Sequence, residues 1–295
     1  MTTLATFLAC SGTAPSTQLS YRWYLTNLQA WLVERGRTLE DVDPGLFMEW
    51  LDLHTWAPAT RRFAVAAVRA YTRYTFGDAH PCLRLKMRTV DSGPQRTLSL
   101  EEAIKLLRYL TGKDELDCTD PKRVRDLALV SLLLDTGLRA FEASALTVKN
   151  LDLAHQQLGV MQKGSRWRTA IYSVETRVRL RLWLSLRDRI ALPGVEEVFV
   201  GIGGKKPGTR ITPSGLRVMF RAIAPKAGIP HFGPHALRRS MACISLVSGA
   251  STRLVQRQGG WSNSKLVETY SRMLPDMAFA QWLPTRQLAS ADARD

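Results

Sequence analysis

Between residues 16 and 35, Leu25, Leu28 and Leu32 recur at three- and four-residue intervals and Gly36 follows, which predicts an amphipathic helix ending at that glycine. The apolar residues Phe7 and Leu8 read as the start of the same helix. A second helix is predicted over 44–53 and a third over 58–76. In the third, Val65, Val68 and Thr72 share one face, while Arg62, Arg69 and Arg73, at offsets of seven and eleven residues, line another. The polar, Gly- and Pro-containing stretch 90–96 has the composition of a linker. After it, Ser99 with Glu102 three residues later is a capping box that starts a helix. Residues 123–135 are nearly continuously apolar, as in a helix buried on most sides. Two short β-like runs, 158–161 and 167–172, flank Gly164-Ser165 and predict a hairpin. Helical patterns resume over 174–190, 214–227, 235–248 and 263–272. The expected fold is mainly α with a small β-sheet, in two domains, 1–90 and 98–283, with a linker at 91–97 and a tail at 284–295.

A chain of 295 residues is long enough for two cores of ordinary size. With 45% hydrophobic and 23% charged residues, disorder is excluded for most of the length. Lys and Arg number 41 against 26 Asp and Glu, a net +15 that calls for a polyanionic partner. The excess is concentrated after residue 90, where 31 basic residues face 19 acidic ones. The arginine stripe at 62, 69 and 73 is read either as a solvated helix face or as a phosphate-contacting edge. Cys10, Cys82, Cys118 and Cys243 are far apart, with neither a disulfide framework nor zinc-knuckle spacing, which suits a reducing cytosol. No apolar run is long enough to span a bilayer, and no basic segment precedes Phe7-Leu8 as in a secretory signal.

Several chemistries are set aside. Residues 201–206 resemble a phosphate loop but lack its G-x-x-x-x-G-K-[S/T] order, and read as a flexible connector. His231 and His235 have a metal-ligand spacing, but Gly233-Pro234 interrupts the helix between them and no third ligand is near. There is neither a G-x-S-x-G elbow nor a paired-carboxylate motif for two Mg²⁺ ions. Any phosphoryl chemistry is expected to need no metal and no cofactor.

Moving a phosphodiester without a metal requires fixed positive charge around the non-bridging oxygens, a nucleophile, and an acid for the departing alkoxide. The C-terminal part supplies such a set. In Thr136-Gly137-Leu138-Arg139-Ala140-Phe141-Glu142, an arginine follows a buried helix at a glycine turn, with Glu142 one helical turn on. Lys163 lies on the predicted hairpin. In His235-Ala236-Leu237-Arg238 the i, i+3 spacing puts His235 and Arg238 on one face. Gly260-Trp261 and Tyr270 complete the series.

These segments, in this order, resemble the tyrosine recombinases, the family of phage integrases and Xer-type recombinases. Its members show T-G-L-R-x-x-E, a hairpin lysine, H-x-L-R, Gly followed by His or Trp, and a terminal tyrosine. Here Trp261 follows Arg238 by 23 residues and Tyr270 comes nine later, the family's usual intervals. Residues 212–216 and 227–229 resemble its connecting segments. The similarity covers about 90–283, and residues 16–88 loosely resemble its N-terminal core-binding (SAM-like) helical domain.

The resemblance implies that Tyr270 attacks the scissile phosphorus to give a 3′-phosphotyrosyl link and a free 5′-hydroxyl, with no ATP required. It implies that Arg139 and Arg238 hold the non-bridging oxygens and that Lys163 is the acid for the 5′-oxygen. His235 would donate to the phosphate or handle the nucleophile's proton, and Glu142 would steady Arg139 or its helix. Trp261 stands where histidine is commoner; an indole N–H donates but relays no proton. Gly259 replaces a frequent leucine and is expected to loosen the approach to Trp261.

The implied partners are double-stranded DNA, three further copies of the chain in a synaptic tetramer, and accessory DNA-binding proteins, in the cytoplasm at the nucleoid. No N-terminal arm-binding domain is expected. Met273, Met277, Phe279 and Trp282 make the tail amphipathic, able to dock in cis or on a neighbouring subunit. A type IB topoisomerase and a catalytically idle DNA-binding regulator are the alternatives; the intact set of six residues argues against the second.

Overall fold

Proline opens several helices of this chain, because its ring fixes φ near the helical value and its missing N–H would have no partner in a first turn. The computed structural model describes residues 4–87, 95–112, 120–162, 166–204 and 206–271. The helices are α1 Leu4–Cys10, α2 Pro15–Val33, α3 Pro44–Asp52, α4 Pro58–Phe76, α5 Leu100–Thr111 and α6 Pro121–Thr136, followed by α7 Ala140–Ala145, α8 Val174–Arg187, α9 Pro213–Lys226, α10 Pro234–Val247, α11 Thr252–Gly259 and α12 Ser264–Ser271. Strands β1 Leu151–Asp152, β2 Gln157–Gln162 and β3 Arg166–Ile171 form one antiparallel sheet in the order β1-β2-β3. The fold is mainly helical with a small sheet. Among the described residues no helix is long and apolar enough to cross a membrane. The chain divides into two units, Met1–Gly93 and Pro94–Asp295.

In the first unit, Leu25, Leu28 and Leu32 of α2, Phe47 and Trp50 of α3, and Val65, Val68 and Tyr71 of α4 share one core. Phe7 of α1 enters it edge-on to Tyr71, with ring centroids 5.6 Å apart. Residues 4–10 are therefore not the start of the helix over 16–35 but a helix of their own, cut off at Gly12, whose φ is 62°. Two inward residues, Phe7 and Leu8, are too few to reveal a separate period.

In the second unit α6 is buried on most sides, but not by apolar residues alone. Arg125 and Asp126 lie within the core, paired at 2.5 Å, and Arg125 also donates to the Val200 carbonyl at 3.1 Å. Burial raises the Asp126 carboxyl above its usual range, with Arg125 working against it. Asp135 accepts from the Ser173 N–H and hydroxyl and from the Thr176 hydroxyl, fixing the start of α8. The ends of the segment 200–210 are paired: Val200 bridges to Arg210, and the Gly201 N–H donates to the Thr209 carbonyl at 2.8 Å. β1 and α11 fall outside the predicted elements. The first has two residues, and the second turns only Val255 and Gly259 inward.

The capping box at α5 forms with both of its bonds. Arg96 adds two bonds of 2.8 Å to Glu102, which hold that carboxyl below its usual range. Between these residues the Leu98 N–H donates at 2.7 Å to the Ser240 hydroxyl, tying the entry to α5 onto α10. Ser240 is fully buried, so no water can replace it. Ser240→Ala is expected to cost about 1–3 kcal/mol in urea denaturation by leaving that N–H unpaired; unchanged stability would show that the tie is dispensable.

Candidate active site

The site begins where α6 ends. Gly137 takes a left-handed conformation, φ 59°, and a Cβ there would meet the Met241 methyl at 2.3 Å, so the turn passes tightly under α10. Leu138 then enters the core and Arg139 opens α7. Glu142 reaches back one turn: one oxygen accepts from the Arg139 N–H at 2.9 Å and the other from Arg139 Nη1 at 2.6 Å. The glutamate side chain is 4% exposed and the arginine 40%, so the guanidinium is held from beneath and open above. Arg168 of β3 donates to the same carboxylate at 3.4 Å.

On α10, His235 and Arg238 lie one turn apart, with Leu237 between them fully buried. Arg238 is 4% exposed; Nη1 donates to the Gly137 carbonyl, and the guanidinium sits 4.1 Å from the centre of the Trp261 ring. Nη2 is buried with no hydrogen-bond partner. Burial first, and then the charge of Arg139, push Arg238 down to about 9, while Glu142 works in the opposite direction. At neutral pH the group remains charged. A buried cation with a spare donor has the chemistry to hold an anion.

His235 is open to solvent on one side, yet its pKa is lowered, by partial burial first and then by Arg239, Arg238, Arg217 and Arg139. Burial and the surrounding cations thus favour the neutral imidazole. Gly260 ends α11 with φ 66°, which turns Trp261 into the site. The indole is buried and lies 5.5 Å, centroid to centroid, from the half-buried ring of Tyr270 on α12. The Cys243 thiol donates weakly to the Tyr270 carbonyl at 3.7 Å.

Arg139, Glu142, His235, Arg238, Trp261 and Tyr270 thus meet in one place. Lys163 and the tail residues Met273, Met277, Phe279 and Trp282 lie outside the described residues. Arg62, Arg69 and Arg73 are on α4 of the other unit; Arg62 and Arg73 are exposed, Arg69 is half-buried, and Arg73 donates to Asp78 at 2.8 Å. The sequence reading missed Arg168, Arg217 and Arg239. For Arg168 a signal existed: it alternates with the buried Ala170 and Tyr172, whereas Trp167, Thr169 and Ile171 face out. Among the described residues no three His, Cys, Asp or Glu side chains are grouped to hold a metal ion.

Gly259 does not loosen the approach to Trp261. The indole lies directly against its Cα, and a Cβ there would meet the ring at 1.9 Å. The glycine is what lets the ring slide in beneath Arg238. Gly259→Ala is therefore expected to lower stability by about 1–3 kcal/mol through overpacking, read by thermal denaturation. An unchanged midpoint would mean that the ring does not occupy this position.

The model of the phage integrase family matches residues 97–276. The tyrosine recombinase XerC of Mycobacterium leprae (strain TN) is 29% identical over 272 residues, covering 89% of this chain and 90% of that relative. Among solved structures, the XerH site-specific recombinase bound to palindromic difH substrate, a post-cleavage complex, superposes with a TM-score of 0.71 at 18% identity. That match covers 94% of this chain and 83% of XerH. A lambda integrase tetramer bound to a Holliday junction gives 0.65 at 14%, covering 90% and 74% respectively. At these identities the structural likeness concerns the fold, and it agrees with the match over residues 97–276. The chain belongs to the phage integrase family.

Proposed function

We propose that this chain is a site-specific DNA recombinase that cuts and rejoins duplex DNA through a phosphotyrosine on Tyr270. The observation that carries the reading is the unpartnered Nη2 of Arg238, buried beside Arg139 and Trp261 and within electrostatic reach of Tyr270. A non-bridging phosphate oxygen supplies the missing acceptor, and its charge relieves the repulsion between the two guanidiniums. That relief grows as charge accumulates on those oxygens at the pentavalent transition state.

In the reaction the Tyr270 oxygen bonds to phosphorus as the bond to the 5′-oxygen breaks. The phenol proton passes to the neutral imidazole of His235, and Lys163 protonates the departing 5′-oxygen. The Trp261 indole N–H donates a hydrogen bond without relaying a proton. Because a phosphotyrosyl ester replaces a phosphodiester, the linkage is conserved, and attack by a 5′-hydroxyl from another strand closes it again without ATP.

Double-stranded DNA as partner fits the net charge of +15, with Arg62, Arg69 and Arg73 contacting backbone phosphates from the N-terminal unit. The lambda integrase structure is a tetramer on a Holliday junction, and the same assembly is proposed here, in the cytoplasm at the nucleoid. An apolar groove of about 1000 Å³, lined by Ile104, Leu107, Met241, Ile244 and Leu254, could seat the amphipathic tail of the same chain or of a neighbouring copy.

The test is to incubate the protein with a library of nicked random-sequence duplexes and recover covalent adducts by denaturing electrophoresis. The wild-type chain is expected to form them on a restricted set of sequences, and Tyr270→Phe to form none. Arg238→Ala is expected to slow formation roughly 10²–10³-fold. EDTA is expected to have no effect, because the carboxylate of this cage, Glu142, is already taken by two arginines. Adducts with Tyr270→Phe, or their loss in EDTA, would overturn the assignment.

A further inference from the structure

Arg168 has no part in the mechanism above, yet from β3 it bonds both to α7, which carries Arg139, and to the end of α11, which leads into Trp261. Its side chain is 8% exposed. Nη2 donates to Glu142, the carboxylate that holds Arg139; Nη1 donates to the backbone carbonyl of Gln258, in the last turn of α11 before Gly259, Gly260 and Trp261. Gln258 extends the same link. Its side chain accepts from the Ile171 N–H at 3.3 Å and donates to the Ile171 carbonyl at 2.7 Å and the Asp135 carbonyl at 2.8 Å. α11 is thereby laced to β3 and to the end of α6.

We infer that Arg168 is a positioning residue: it fixes Glu142 under Arg139 and ties β3 to the turn carrying Trp261, so that the scissile phosphate meets guanidiniums already in place. The inference rests on the recombinase reading and adds a residue to it. Charge accounting gives the physical reason. Glu142 alone with Arg139 would form a near-neutral pair, and a neutral pair attracts a phosphate weakly. A second guanidinium on the same carboxylate takes up part of its charge and leaves the outward face of Arg139 cationic.

A purely structural role is a poor fit to the bonding. Arg168 Nε is buried without a partner, and the contact with Glu142, at 3.4 Å, is longer than the bonds Glu142 makes to Arg139. Burying a charge on such terms works against stability, and an apolar side chain of similar volume would serve the core better.

The experiment uses the full chain and one duplex recovered from the adduct library, in two forms: the natural phosphodiester, and an uncharged methylphosphonate at the scissile position, in which a methyl group replaces one non-bridging oxygen. Single-turnover adduct formation and duplex affinity are measured for wild type, Arg168→Gln and Arg168→Lys. For Arg168→Gln the phosphodiester rate is expected to fall roughly 10–100-fold. Duplex Kd should change by less than about threefold, because contacts to many other phosphates dominate it, and so should the methylphosphonate rate, because that linkage carries no charge for Arg139 to meet.

Arg168→Lys, which keeps the charge and loses the fork, is expected to recover part of the phosphodiester rate. If Arg168→Gln does not fold, the lysine variant alone carries the test, with a several-fold loss on the phosphodiester and none on the methylphosphonate. Equal losses on both linkages, or no loss on either, would overturn the inference while leaving Tyr270 as the nucleophile. A wild-type chain that forms no adduct on either duplex would overturn the recombinase reading, and this inference with it.

Discussion

A single buried carboxylate holds the site together. Glu142 is within hydrogen-bond reach of Arg139 from below and Arg168 from the sheet, and its charge also bears on Arg238. Three guanidiniums against one carboxylate leave a surplus of positive charge in a place largely shielded from water, where like charges repel far more strongly than they would in solvent. Burial first, and then the charge of Arg139, depress Arg238, and a phosphate is the group whose charge offsets both.

Such a site can exist only on a scaffold that over-determines its geometry. Arg139 and Glu142 share the first turn of α7, Arg238 is anchored to the carbonyl of Gly137, and the Trp261 ring is held between Gly259 and the Arg238 guanidinium. Each anchor is a backbone turn or a close contact. Two of those turns, at Gly137 and Gly260, take the left-handed conformation that only glycine adopts without strain. The second unit thus devotes its tightest backbone to aiming side chains, while the buried α6 and the core around it supply the stability that the crowded cations remove.

Much of this was legible in the sequence. The helices with clear apolar periods or caps were readable to within a few residues, as at Ser99 and Glu102, because capping and periodicity are local physics. α1, β1 and α11 were not, since elements with one or two inward residues carry no period. The run 123–135 hid a buried ion pair at Arg125 and Asp126, whose partners only the fold brings into place. The motif residues could be read because each has a distinctive neighbour: the glycine before Arg139, the proline before His235, the glycine before Trp261. Arg168 had no such flag beyond its alternation with Ala170 and Tyr172. Gly259 was misread because a missing side chain says nothing about what fills its space.

The measurement that bears most directly on the central claim is a crystal structure of Tyr270→Phe bound to an uncleaved duplex. The account predicts Arg238 Nη2 and the open face of Arg139 at hydrogen-bond distance from the non-bridging oxygens of one phosphate, with Glu142 still beneath Arg139. A phosphate held by other groups, with Arg238 Nη2 still unpaired, would contradict it.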